Sequence, residues 1–229
     1  MKDIKIISAT KDSYRFNTKI HNFIDYYESH DFANQPDIYG EIVTHNTRSL
    51  PEVYNRYINE SNRNTILIFA HDDLLIEDLF LLKKLNEAMK SYDVVGLAGM
   101  KAPISIKEPC LWHLMGDRNN MSGAVAHFEK DSDNNRFVTN FGVTPARVIL
   151  LDGCFIAINT EKILEKGLRF DENNPAKFHF YDLNFSLDAN KLGLRLGTWP
   201  IFCTHSSHGL ENMSEEFLKG QEYFIKKWT

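Results

Sequence analysis

The chain has 229 residues, 43% of them hydrophobic and 25% charged, the balance of an ordinary globular protein with enough apolar material for a substantial core. A formal net charge of −5 and a pI near 6.0 argue against a nucleic-acid surface. Three cysteines without any C-x-x-C spacing give neither a disulfide framework nor a zinc knuckle, and no apolar run approaches the roughly 20 residues of a membrane span. The N-terminus passes directly into strand pattern without a signal-peptide apolar region, so the expected setting is the reduced cytoplasm, compatible with peripheral contact at the inner face of a membrane.

Residues 4–9 form the first expected strand, ending in the small polar run Ser8-Ala9-Thr10. Ile20, Phe23, Ile24 and Tyr27 recur at helical spacing across 17–29, and 38–44 reads as a second strand ending at His45-Asn46-Thr47-Arg48. Ser49 with Glu52 three residues on is a capping box opening a helix through Val53, Tyr54, Tyr57 and Ile58. A continuous apolar strand from Ile66 runs into His71-Asp72-Asp73, then a helix over 77–90 and a short buried strand over 94–98. Pro and Gly punctuate 101–147, which reads as an irregular insertion containing a hairpin, 124–128 against 136–141. The apolar run 148–158 is interrupted by Asp152-Gly153. Thr160 is the expected cap of a helix ending at Gly167. A helix over 181–192 follows, then mostly strand over 194–204, and Ser214 caps a terminal amphipathic helix. This alternation predicts one α/β domain with a mostly parallel central sheet between two helical layers. Its regular part covers about 1–100 and the part with the insertion about 101–229.

In such sheets ligands bind beyond the carboxyl ends of the strands, where Ser8-Ala9-Thr10, the 45–48 run, His71-Asp72-Asp73 and the run from His205 to His208 converge. Adjacent carboxylates repel unless a cation lies beside them, and a divalent ion carrying a diphosphate would meet that need at Asp72 and Asp73. The competing explanation is an N-cap, with Asp72 or Asp73 opening a helix near Leu75, but capping accounts for one Asp only. An unpaired Asp152 in an apolar run would be costly, so it is expected to face the site, with Gly153 allowing close backbone approach. Trp112 and His113 are candidates for the acceptor side, with an anchoring role for Trp112 in a small core as the alternative. Arg48 suits a phosphate or a pairing with Glu52.

These pieces resemble, in order, the GT-A glycosyltransferases of the family 2 type, and among them the compact bacterial glycosyltransferase-like group. The pieces are the first strand, Asn46-Thr47-Arg48-Ser49 with Tyr54-Asn55-Arg56, Phe69-Ala70-His71-Asp72-Asp73 in place of Asp-x-Asp, and Leu151-Asp152-Gly153 leading into a strand. Phe178-His179-Phe180-Tyr181-Asp182 and the run from Thr204 to Gly209 complete the series, which extends over nearly the whole chain. The resemblance implies a GT-A (Rossmann-like) three-layer αβα fold and transfer from a nucleotide-sugar, a UDP-sugar, to a glycan or glycolipid hydroxyl with inversion. It also implies that Ser8, Ala9, Thr10, Asn46, Arg48, Asn55, His71 and Asp72 contact the nucleotide. Asp73 and His205 would ligate Mn²⁺ or Mg²⁺, with His208 as an alternative to His205 and His71 or Asp72 on ribose or metal. An imidazole ligand favours Mn²⁺. Asp182 would be the general base, with Tyr181 and its aromatic neighbours stacking on a sugar and Asp152 and Gly153 binding donor-sugar or acceptor hydroxyls; about 1–100 would be the nucleotide-binding part and about 101–229 the insertion and acceptor part. The alternatives are a non-catalytic relative that binds nucleotide or sugar, and, with less in its favour, a metal-dependent phosphohydrolase.

Overall fold

A computed structural model describes residues 1–29, 38–103, 112–115, 117–129, 135–206 and 213–229. In chain order the elements are β1 (Ile4–Ala9), α1 (His21–Ser29), β2 (Ile38–Val43), α2 (Leu50–Asn55), β3 (Ile66–Ala70), β4 (Leu74–Ile76), α3 (Leu81–Ala88), β5 (Val94–Gly96) and β6 (Ala98–Met100). They continue with α4 (Trp112–Met115), β7 (Met121–Phe128), β8 (Arg136–Gly142), β9 (Ala146–Val148), β10 (Leu150–Leu151), β11 (Phe155–Asn159) and α5 (Thr160–Lys166). The last four are α6 (Tyr181–Lys191), β12 (Leu196–Thr198), β13 (Cys203–His205) and α7 (Glu215–Trp228).

The main sheet has seven strands in the order β2-β1-β3-β11-β5-β12-β9. β2, β1 and β3 are parallel, and β11 opposes both β3 and β5, so β5 and β12 run with the first three while β11 and β9 run against them. All five residues of β3 are buried, as its apolar run requires. Ile66 and Ile68 join one core with Phe23, Ile24, Leu81, Leu85, Phe217 and Phe224, which places α1, α3 and α7 on that face. Leu67 and Phe69 join the other core with Leu50, Val53, Ile163, Phe185 and Ala189, from α2, α5 and α6. This is the expected three-layer αβα arrangement, and burying each such side chain on both faces stabilises the sheet by about 1.5–3 kcal/mol.

A second sheet, absent from the sequence expectation, runs β10-β6-β7-β13-β4, with β8 on the free edge of β7. It arises because two expected strands are each divided between the sheets. The stretch read as one strand over 94–98 leaves the main sheet at Gly96 and enters the second at Ala98; the stretch over 194–204 splits likewise into β12 and β13. The switch needs glycines: a Cβ on Gly96 would lie 2.8 Å from the Leu151 side chain, and Gly123, opposite Ala98, sits at φ +104°. The segment after Asp73 is strand β4 rather than the start of a helix, because Leu74–Ile76 pairs with β13; the helix α3 begins only at Leu81. Asp72 and Asp73 therefore cap no helix.

Other expectations coincide closely. The Ser49–Glu52 capping box is present in both directions, Ser214 accepts the Phe217 amide, and the insertion hairpin pairs β7 with β8. Gly167 closes α5 in the left-handed conformation, but Asn159 rather than Thr160 is the residue before its first turn, and the Thr160 hydroxyl is buried without a hydrogen bond. Trp112 is buried against Phe141, at 5.6 Å between ring centroids, so it anchors the insertion while His113 is exposed. Cys154 and Cys203 are buried free thiols.

Candidate active site

The site begins where β3 ends. The backbone of 71–73 is tied on three sides: the His71 amide donates to the Cys154 carbonyl (3.1 Å), the Lys19 amide to the Asp72 carbonyl (2.7 Å) and the Ser206 amide to the Asp73 carbonyl (3.1 Å). Pairing of β13 with β4 sets His205 opposite Leu74, next to Asp73. His205 Nε2 then lies 3.1 Å from Asp73 Oδ1 and 3.2 Å from His71 Nδ1. One donor atom each from His71, Asp73 and His205 falls within 4.8 Å of the others, a spacing that a single metal ion can bridge.

The protonation pattern follows from the hydrogen bonds. The Tyr181 hydroxyl donates its one proton to the Gly153 carbonyl (2.8 Å), so at its 2.8 Å contact with His71 Nε2 it accepts. His71 thus carries its proton on Nε2 and turns the Nδ1 lone pair into the cluster, the relation a supporting hydrogen bond gives a metal-binding histidine. Burial, reinforced by His205, pushes the His71 pKa down and keeps it neutral. Burial opposes a charge on His205 too, but the Asp73 carboxylate outweighs it and raises that pKa. Burial likewise disfavours an Asp73 charge, yet its two imidazole neighbours hold the pKa below the usual carboxylate range. Asp73 Oδ1 is buried and has no hydrogen-bond partner of acceptable angle. A buried anionic oxygen beside an imidazole lone pair fits a divalent cation.

Two carboxylates stand near Tyr181. Asp152, in the turn between β10 and β11, is buried enough to favour protonation, but the Cys154 amide (3.0 Å) and the charge of His205 keep its pKa low. Asp182, in the first turn of α6, differs: burial and the neighbouring Asp152 charge raise it to about 7, against the pull of backbone amides. Gly153 packs directly on this pair, since a Cβ there would sit 2.5 Å from the Tyr181 hydroxyl and 3.0 Å from Asp182 Cβ. Phe180, just before them, is a buried non-glycine residue at φ 63°, a conformation that costs about 1–3 kcal/mol.

The ends of β1 and β2 meet as expected. The Asn46 amide donates to the Thr10 carbonyl (2.9 Å) and the Thr10 amide to the Val43 carbonyl (2.9 Å), beside the buried Ala9. Ser8 is fully buried with an unpartnered hydroxyl, whereas Thr10 Oγ1 accepts from the Asp12 amide. The Asn46 side chain shapes its own loop, bonding both the amide and the carbonyl of Arg48 at 3.0 Å. Arg48 is exposed, and the Glu52 carboxylate is engaged by Ser49 instead. Asp72 is partly exposed, close enough for its charge to act on the buried Tyr54 hydroxyl.

The Asn55 amide group donates to the Phe170 carbonyl (2.9 Å) and Glu172 (2.8 Å) and its oxygen accepts from the Phe170 amide (2.9 Å). It clamps the loop before α6, with both amide protons engaged there. His208 lies outside the described residues. Two residues near the cluster were not singled out from the sequence. His127 stacks on Phe137 (5.3 Å) with its ring 6.2 Å from His205, its partner across the β7–β13 pair. Ser206 has a buried hydroxyl without a partner. Ser206 lies within the expected run from His205 to His208, whereas no local pattern marks His127, which strand pairing alone brings here.

The αβα layering, with a strand-end cluster of two histidines and an aspartate, defines an α/β fold of the GT-A type. Over 100% of this chain and 48% of the other, it superimposes on the crystal structure of GalNAc-T7 with UDP, GalNAc and Mn²⁺ at a TM-score of 0.54 and 11% identity. The chain thus spans about half of that protein. A crystal structure of A197 from STIV aligns over 86% of this chain and 82% of that one, with a TM-score of 0.47 and 15% identity. No curated protein sequence matches. Residues 9–227 match the model of a glycosyltransferase like family, and the chain belongs to that family. Among the described residues no helix is long and apolar enough to cross a membrane.

Proposed function

We propose that the protein is a metal-dependent glycosyltransferase that passes a sugar from a UDP-sugar to a hydroxyl of a glycan or glycolipid, with inversion. The observation that carries this reading is the cluster of His71, Asp73 and His205 donors joined through the Tyr181 hydroxyl to the helix start that bears Asp182, with Gly153 packed on both Tyr181 and Asp182. His71, Asp73 and His205 would hold the ion, which when bound neutralises charge on the departing diphosphate. Thr10, Asn46, Arg48, Asn55 and Asp72 would line the nucleoside end, backed by the buried Ser8 and Ala9, and Asp152 and Gly153 the sugar, while the buried Tyr181 orients His71 rather than stacking on the sugar. The acceptor oxygen attacks the anomeric carbon, the bond from that carbon to the diphosphate oxygen breaks with its electron pair leaving on the diphosphate, and Asp182 takes the hydroxyl proton. A carboxylate with a pKa of about 7 is well matched to that transfer near neutral pH. The solved GalNAc-T7 structure, with UDP and Mn²⁺ in its description, supports the choice of nucleotide and metal.

Calorimetric titration with UDP, GDP, CDP and ADP, with and without Mn²⁺, tests the reading. Selective binding of UDP that EDTA abolishes is the expected result. Absence of binding by all four diphosphates would overturn it in favour of a relative that has lost turnover.

A further inference from the structure

We infer that the C-terminal helix α7 is a positioning element for the active site: by packing on Phe180 it holds the 180–182 backbone so that the Tyr181 hydroxyl meets His71 and Asp182 faces Asp152. What those residues do rests on the function proposed above; the packing relationship does not. Phe180 occupies φ 63° and ψ −4°, a region a bulky L-residue enters only when its surroundings over-determine it. Those surroundings come from α7. The rings of Phe217 and Phe224 lie 5.0 and 6.0 Å from that of Phe180. Gly220 lets the helix approach, because a Cβ there would collide with the Ala176 Cβ and lie 3.0 Å from Phe180 Cδ2.

The helix is also fastened to both flanks of Phe180. Upstream, Glu216 accepts the Lys177 amide (2.7 Å), while Asn174 braces the same loop through the His179 carbonyl (2.7 Å) and the Ala176 amide (3.1 Å). Downstream, Trp228 donates to Asn184 (2.8 Å) and Lys227 to Asp188 (2.8 Å) on α6. A peptide held at its neighbours and at its ring cannot relax to the right-handed region. Were Phe180 to relax, the helix start would turn, and the hydroxyl that fixes the His71 tautomer would leave it.

Gly220→Ala tests this without touching a site residue. Circular dichroism and a thermal melt establish folding, and long-range proton–nitrogen spectra of the imidazoles read the His71 tautomer with no metal or donor present. The variant is expected to lose the single Nε2–H tautomer of His71 and to bind Mn²⁺, followed by electron paramagnetic resonance, at least tenfold more weakly than the parent. Ala176→Gly in the same chain removes the main collision and should restore both. A folded Gly220→Ala protein with the parent tautomer and Mn²⁺ affinity would overturn the inference. If Gly220→Ala does not fold, Phe180→Gly, which suits the left-handed backbone but lacks the ring, decides: it should lose the fixed tautomer, and retention overturns the inference. Loss and rescue of the tautomer in a parent that binds no Mn²⁺ would leave the positioning role standing and remove the metal-dependent reading instead.

Discussion

The hydroxyl of Tyr181 accepts a hydrogen bond from Nε2 of His71 at 2.8 Å, joining the head of one helix to the end of the central strand. Through this contact the helix that carries Asp182 also sets which His71 nitrogen is free. Tyr181→Phe should therefore leave the Gly153 carbonyl and the His71 ring nitrogen without their shared partner. The expected cost is about 1–3 kcal/mol of stability and roughly a tenfold to hundredfold loss of Mn²⁺ affinity. A urea titration and a Mn²⁺ titration on the same preparation measure both.

Asp73→Ala removes the only carboxylate among the three clustered donors and should abolish metal-dependent diphosphate binding. His205→Ala should weaken it strongly. Protons compete with the ion for these donors, so affinity should fall on acidification, first through His205, whose pKa is raised by Asp73, while His71, with a lowered pKa, stays neutral longer. Calorimetry across a pH series checks the order; affinity independent of pH would contradict ligation by His205.

Asp182→Asn should keep metal and diphosphate binding and remove transfer. In the parent, turnover should rise with pH up to about 7 and level off above it, as the base loses its proton. Stability carries the opposite sign. The folded pKa of Asp182 lies above the unfolded value of 3.8, so its contribution is complete below that value and is lost as pH rises toward about 7. Asp182→Asn should abolish this part of the pH dependence, measurable as a flatter melting temperature between pH 4 and 8. An unchanged turnover rate would remove Asp182 from the role of base.

Gly153→Ala places a methyl group 2.5 Å from the Tyr181 hydroxyl and 3.0 Å from Asp182 Cβ. Neither neighbour is a freely mobile chain end, because Tyr181 is buried and both sit in the first turn of α6. The variant should lose about 1–3 kcal/mol of stability through overpacking. Transfer should drop more than nucleotide binding does, and comparing kcat with the diphosphate Kd distinguishes the two.

What the sequence determined by itself is local. The apolar run of β3, the capping box at Ser49 and Glu52, the Ser214 cap, the Gly167 stop and the insertion hairpin each depend on residues a few positions apart or on strict alternation, and all are present. His71, Asp73, His205 and Asp152 were legible as candidates because charged or polar groups at the ends of apolar runs, or interrupting them, need an explanation, whereas Asp182 became a candidate through the family resemblance. The tertiary structure decided the rest. His71 and His205 are 134 residues apart and meet only because β4, which looked like a helix start, pairs with β13. That pairing leaves no periodic trace in so short a strand. Asn55 looked equivalent to its neighbours on α2, yet it turns to the Phe170 loop, because a helix end presents its side chain to whatever packs there. The left-handed Phe180 has no sequence signal either: nothing about a phenylalanine favours that backbone, and it exists here because α7, about 40 residues further on, is packed against its ring.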